Sequence, residues 1–322
     1  MTDSYRLKRS SNSPCTPTGG RWHLLLCLSI IFAHLISCTN GRVRYREKKE
    51  KERDINNEDR IIGGTPVTRL NRYPYIVPIL DSQNRPIAGS RIRQYCVGTL
   101  VAPDVVLSAA HCQGRTGKSP DFVQFNPFNV ITPFARNGRI IDTIKILKQV
   151  PHPDFDPFTL DNDLVLFKLA KKNEKVSPVK VNRRFSLVDG DQLKVVGWGA
   201  TAEAGNNSPI LRHVLIDYIP NDTCNSDQYG YFGQVFDSMV CAASDNKDAC
   251  TGDSGGPLLL PDPGGANPEL DVQVGLVSWG VGCAQPLYPG VYARVDFDWI
   301  MFAICDEETG LSPESCLDGE VF

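Results

Sequence analysis

After residue 61, and until its last stretch, the sequence never sustains a helical apolar period. It offers instead a series of short runs: "YIVPIL", "VVLSAA", "DLVLFKL", "QLKVVGWG" and "VQVGLVSWG". Each is rich in Val, Ile and Leu, and each is bounded by Gly, Pro, Asn or Asp, the pattern of short strands between turns. Strands this brief bury a core only by stacking sheets or closing them on themselves, so the body is expected to be all-β, a sandwich or barrels. One late segment differs. "VDFDWIMFAIC", residues 295–305, reads as a terminal helix with Trp299 and Phe302 three apart on one face. No internal repeat at a fixed period is present.

Residue 60 divides the chain. Residues 24–36, "LLLCLSIIFAHLI", are an apolar run of 13 preceded by Arg6, Lys8, Arg9 and Arg21. That length suits the core of a signal peptide and falls short of the roughly 20 residues of a membrane span. Residues 1–38 are therefore expected to be a signal peptide. Arg42, Arg44 and Arg46 behind the run keep an uncleaved signal anchor as the alternative. Residues 39–60 read as a propeptide or linker. "RVRYREKKEKERDINNEDR" at 42–60 is too polar to offset the entropy of ordering. Then "IIGGTPV" begins an apolar body, expected to run over 61–305 with a tail at 306–322.

Charge follows the same division. Residues 1–60 hold twelve Lys/Arg and seven Asp/Glu, a net of +5, which leaves 22 and 30 in residues 61–322, a net of −8. A body of that sign gives no bulk attraction for nucleic acid. It weakly favours a cationic substrate. Eight of the eleven cysteines lie in the body, an even number that suits disulfides in an oxidising compartment. Zinc fails on spacing, since no CxxC pair exists, and no cofactor or metal is expected.

The densest chemistry is "DACTGDSGGP", Asp248 to Pro257. One serine, Ser254, stands between glycines and behind two acids. A serine hydroxyl attacks only with a base in reach and donors for the oxyanion that forms. The body's histidines are His111, His152 and His213. His152, in "PHPDF", reads as an exposed turn, and His213, in "LRHVLI", as a strand position. His111, at the end of "VVLSAAHC", is the better base, with His213 the alternative.

"RIIGG", "LSAAHC", "DNDLVLFKL", "CTGDSGGPL" and "SWGVGCAQPLYPGVYARV" stand in this order over residues 61 to about 302. Together they resemble the trypsin-like serine proteases of the chymotrypsin family. The resemblance implies two six-stranded antiparallel β-barrels with a C-terminal helix. It implies His111 as general base and then acid, Asp163 as the residue that orients it, and Ser254 as nucleophile. Asp161 nearby is expected to be a solvated turn residue. The N–H groups of Gly252 and Ser254 would form the oxyanion hole. Asp248 would floor the pocket for the residue before the cut bond, with Gly280 and Gly290 leaving room for Arg or Lys. Ser278, Trp279 and Gly280 would pair with the substrate backbone. Cleavage after Arg60 would free Ile61, whose ammonium would pair with Asp253. The disulfides implied are Cys96–Cys112, Cys224–Cys241 and Cys250–Cys283. Cys305 and Cys316 remain and are expected to pair with each other.

The sequence also departs from the family pattern. Leu260 stands where a further cysteine is usual, and Val97 where glycine is usual, close to the leaving-group side. Residues 122–141 contain no acid, so the acidic calcium loop of some trypsins is expected to be missing. "PDPGGANPEL", 261–270, reads as a long surface loop. "NDT" and "NNS" offer Asn221 and Asn206 as glycosylation acceptors, although Pro209 disfavours the second. The expected protein is a secreted, monomeric serine endopeptidase made as a zymogen. Its partners would be peptides or proteins with Arg or Lys before the cut bond, and protein inhibitors. An inactive binding protein on the same fold is the alternative class.

Overall fold

The structure is a computed structural model that describes residues 62–69, 71–81, 94–114, 120–125, 143–183, 186–202, 205–309 and 311. The expected signal peptide, the linker with Arg60, Ile61, Cys316 and most of the acid-free segment lie outside the described residues.

The short runs become strands. In the first half these are β2 (Ile76–Asp81), β3 (Gln94–Ala102), β4 (Val105–Ser108), β5 (Pro120–Gln124), β6 (Thr143–Pro151) and β7 (Val165–Leu169). They close in the order β2-β3-β4-β7-β6-β5, with every pairing antiparallel. In the second half β9 (Gln192–Gly197), β10 (Arg212–Ile219), β11 (Met239–Ala243), β14 (Gly290–Arg294), β13 (Val272–Trp279) and β12 (Pro257–Leu260) form a second antiparallel ring. It closes because β9 pairs with both β10 and β12. The two-residue strands β1 (Thr65–Pro66) and β8 (Lys180–Val181) add to β10 and β13. Of sandwich and barrels, the chain takes barrels, the closure that leaves the fewest unpaired edges.

Burial shows where the barrels meet. β10 alternates between buried and half-buried positions, one face to the lumen and one outward. β3 and β4 are buried almost throughout. Their outward faces pack on the second barrel: Thr99 donates to Gln273 at 2.7 Å, and Val97 N–H donates to the Ser254 carbonyl at 2.8 Å. Val97 is fully buried at this junction, against the loop that carries Ser254.

The C-terminal helix spans Phe297–Cys305 and is capped by Asp296, which accepts from Trp299 N–H at 2.9 Å. Its buried face is Ile300, Ala303 and Ile304, the i, i+3, i+4 set. The expected face is corrected here, since Phe302 is 69% exposed. Cys305 at the helix end is disulfide-bonded. Asn221 opens a one-turn helix, Asn221–Cys224, and its amide nitrogen donates to the Phe236 and Met239 carbonyls. A glycan on that nitrogen leaves it one hydrogen, so at least one of the two bonds would be lost. Asn206 is exposed.

The 261–270 segment is anchored as well as exposed. Arg72, 4% exposed, grips Asp271, fully buried, through both terminal nitrogens, and its Nε donates to the Gly265 carbonyl at 2.8 Å. Tyr75 OH and Asp262 N–H also donate to the Asp271 carboxylate, at 2.6 and 2.9 Å. Replacing Arg72 leaves that carboxylate buried without its cation. Arg72→Met is expected to cost about 3–5 kcal/mol of unfolding free energy, read by denaturant titration. An unchanged midpoint would show that the pair carries no stability.

Candidate active site

The strands deliver the predicted residues to one side of the junction between the barrels. Behind β4 a single 3-10 turn, Ala110–Cys112, presents His111. The turn before β7 passes through Leu160 and Asn162, both at positive φ (59° and 50°), and turns Asp163 inward. Asp163 is fully buried. Its Oδ1 accepts from His111 N–H at 2.8 Å, and its Oδ2 accepts from His111 Nδ1 at 2.7 Å and from Ser278 Oγ at 2.6 Å. With Nδ1 donating, the neutral ring carries its free lone pair on Nε2, the atom that would take a proton.

Ser254 lies between β11 and β12 on a loop that needs its glycines. Gly252 has φ +99° and Gly255 φ +76°, and a side chain on Gly255 would run into Ser108 and Val97. The Ser254 carbonyl lies 3.9 Å from Cys112 Sγ, which places the serine beside the disulfide that follows the histidine. Its hydroxyl makes no hydrogen bond among the described residues; such contacts tighten when substrate binds. The N–H groups of Gly252 and Ser254 likewise find no acceptor among the described residues, whereas their neighbours do: Asp253 N–H donates to Cys250 O and Gly255 N–H to Val277 O.

Beside the serine opens a cavity of about 170 Å³, lined in part by Ala249, Trp279, Gly280 and Tyr292, with Asp248 at its floor. Asp248 is 6% exposed, and burial pushes its carboxyl up to about 6 against backbone hydrogen bonds from Ala284 N–H, at 2.8 Å, and Ala249 N–H. A Cβ on Gly290 would lie 2.8 Å from Asp248 Oδ1, so glycine keeps the floor open. Gly280 faces open space at the mouth, and Trp279 meets Tyr231 edge to face at 5.2 Å.

Asp253, directly before the serine, points away from the cavity. It is fully buried, and its oxygens accept from Gly199 N–H at 2.7 Å and Cys250 N–H at 3.1 Å. Burial raises it to about 7, and no cation pairs with it among the described residues. The start of the body reaches this region: the Ile62 carbonyl accepts from Asp248 N–H at 3.3 Å, and the Gly64 carbonyl from Arg212 Nη2 at 2.7 Å.

Disulfides join Cys96–Cys112, Cys224–Cys241 and Cys250–Cys283, the pairs that the resemblance implied. Among the described residues, the one cluster with ligand atoms close enough for a metal is Cys96, His111 and Cys112, and its sulfurs are already bonded to each other. The other histidines are structural. His213, in β10, bonds Tyr73 OH through Nδ1 at 2.7 Å, and burial near Lys194 and Arg72 lowers it to about 4. His152 is no exposed turn: it is 6% exposed, packs on Trp299 at 4.8 Å and lies 3.4 Å from Asp296. Asp161 is likewise bonded rather than merely solvated, through the Ser238 hydroxyl.

Three features escaped the sequence reading. The Ser278 hydroxyl is a donor to Asp163 as well as part of an edge. Gly197 and Gly199 flank Trp198 because a Cβ on either would overlap the Asp253 carboxylate. The spacing in "VGWG" is the only signal, and it does not name Asp253. Gln94 reaches from β3 to the Gly252 carbonyl at 2.8 Å, a contact between residues 158 apart in sequence.

Comparison with protein-family models matches residues 61–300 to the family described as Trypsin. Trypsin-1 of Astacus astacus is 34% identical over 248 residues, covering 74% of this chain and 98% of that protein. Anionic trypsin of Canis lupus familiaris is 34% identical over 254 residues, 77% of this chain and 90% of its own. Trypsin of Sarcophaga bullata is 33% identical over 243 residues, 74% and 85% respectively. With two closed six-stranded barrels, the matched family and these relatives, the chain belongs to the trypsin family within the chymotrypsin-like fold, and is a serine endopeptidase, a hydrolase.

Proposed function

We propose that this chain is a secreted zymogen that, once cleaved after Arg60, hydrolyses peptide bonds following Arg or Lys. The observation that carries the catalytic assignment is a histidine held by a buried carboxylate beside a serine loop with two unpaired N–H groups. In this reading His111 Nε2 takes the Ser254 hydroxyl proton as Oγ attacks the carbonyl carbon. Asp163 holds the ring and stabilises the imidazolium. The oxyanion is met by Gly252 and Ser254 N–H, and the departing amine takes the proton from His111. Water then repeats the sequence on the acyl-enzyme. A fluorophosphonate probe is expected to label the activated protein on Ser254, and Ser254→Ala not at all. An unlabelled activated protein beside a labelled trypsin control overturns the assignment.

Asp248 supports the cationic specificity. A buried carboxylate raised to about 6 is costly to ionise alone, and a guanidinium or ammonium on the pocket floor compensates it. The sign of the pH effect follows. Below about 6 the carboxyl holds a proton that the cation must displace, so affinity for an aryl-amidine inhibitor should weaken by about tenfold per pH unit there. Asp248→Asn should bind weakly at every pH. Flat affinity from about pH 7 to pH 5 would remove Asp248 from the recognition step.

Asp253 supports activation. Its raised carboxyl has no cation among the described residues, and the start of the body already contacts Asp248 through Ile62. An ammonium freed on Ile61 supplies that charge and orders the pocket loops. Residues 1–38 would direct secretion, or anchor the chain if uncleaved, and Asn221 and Asn206 would be glycan acceptors. Among the described residues no helix is long and apolar enough to cross a membrane. We expect the intact chain to be nearly inactive, trypsin treatment to activate it, Arg60→Gln to resist activation, and Asp253→Asn to be cleaved yet stay weakly active. Full activity from a chain still carrying residues 42–60, checked by mass spectrometry, excludes the zymogen.

A further inference from the structure

The two N–H groups proposed for the oxyanion belong to peptides whose carbonyl ends are tied down. Thr251 O accepts from Ala200 N–H at 2.7 Å, and Asp253 O from Gly256 N–H at 2.7 Å. Between these lies the Gly252–Asp253 peptide. Its N–H end donates to Cys250 O at 3.0 Å, and its carbonyl end accepts from Gln94 Nε2 at 2.8 Å. Gly252 has φ +99° and no Cβ, so little local sterics resists rotation of this middle peptide. Turning it changes the torsions on both sides, and the two flanking N–H groups lose their convergence.

Gln94 is the first residue of β3, 2% exposed, and it reaches across from the first barrel. Its orientation is settled by chemistry, because a carbonyl only accepts and so the amide nitrogen must face it. The other end of the amide is informative. Gln94 Oε1 is buried without a partner, a cost that an apolar side chain of the same size would not carry. On the opposite side of Gly252, the Asn207 amide occupies the space a side chain would need.

We propose that Gln94 is a positioning residue: its amide latches the Gly252–Asp253 peptide from the other barrel and so holds the oxyanion donors in register. The inference rests on the oxyanion role proposed for Gly252 and Ser254. It places part of the second barrel's catalytic geometry under the control of a side chain in the first.

Two variants of the full chain, activated with trypsin, test it. Gln94→Met keeps the length and apolar stem but has no donor. With an amide substrate its kcat should fall about tenfold, a fraction of what losing an oxyanion donor outright costs, while KM stays within about twofold. Gln94→Glu supplies a donor only when protonated, and burial raises such a carboxyl. The ratio of its kcat to that of the wild type should therefore be near one in mild acid and fall about tenfold or more as pH rises through the new carboxyl. Asp253 on the loop, Asp81 and Tyr95 beside Gln94, and His111 are common to both enzymes, so the ratio isolates the new carboxyl. A purely structural role moves the melting temperature and leaves that ratio flat. A pH-independent ratio, or wild-type kcat in Gln94→Met, overturns the latch. Wild-type activity and Ser254 labelling test the underlying reading separately.

Discussion

The Asp163 carboxylate is the point on which the site depends. It is fully buried, and it accepts three hydrogen bonds from two different barrels: two from His111, which follows β4, and one from Ser278 in β13. A buried charge is tolerable only when its lone pairs are filled. The barrels must therefore close against each other in one register, or the charge is left unsatisfied. The almost continuous burial of β3 and β4 is the packing counterpart of that demand. The histidine's tautomer follows from the same carboxylate, because Nδ1 is committed to it and Nε2 is left free.

Two other buried acids lie within a few residues of the serine and lack such an arrangement. Asp248 has the Ala284 N–H, Asp253 has Gly199 and Cys250 N–H, and burial raises both, to about 6 and about 7. Neutral donors lower the cost of these charges without balancing them. The contrast with Asp163 is one of partners. Asp163 takes three donors from within the fold, whereas the proposed function assigns each of the other two a cation. In the proposed reading the cations differ in origin, one from substrate and one from the chain's own new terminus. The hydrogen bond from Asp248 N–H to the Ile62 carbonyl links Asp248 to the residue that follows Ile61.

The sequence made the fold readable where short apolar runs alternate with turn residues, because a strand's period is local and a closing Gly, Pro or Asn is local too. Barrel as against sandwich was not readable from those runs, since closure depends on β9 pairing with both β10 and β12, contacts far apart along the chain. The site motifs were readable because the segments around His111, Asp163 and Ser254 resemble those of a known family; the residues alone left His213 open as the base and did not single out Asp163. His152 was misread because two prolines signal a turn and say nothing of what packs over it. Phe302 was misread because spacing of three identifies a helical face without saying which face is covered.

What local pattern conceals is the class of contact in which one side chain meets backbone on the other barrel. Gln94 on the Gly252 carbonyl is of this kind. A backbone carbonyl has the same chemistry at every residue, so nothing in the sequence marks it as a partner. Yet carbonyls are what must be held if N–H groups are to stay free for an oxyanion, since each peptide plane is rigid and fixing one end aims the other. In this loop the carbonyls of Thr251, Gly252, Asp253 and Ser254 all have donors, while two of the N–H groups have no acceptor among the described residues. In the proposed reading this asymmetry is the preorganisation. The folding energy spent on tying down carbonyls is what leaves fixed, unpaired donors beside the serine.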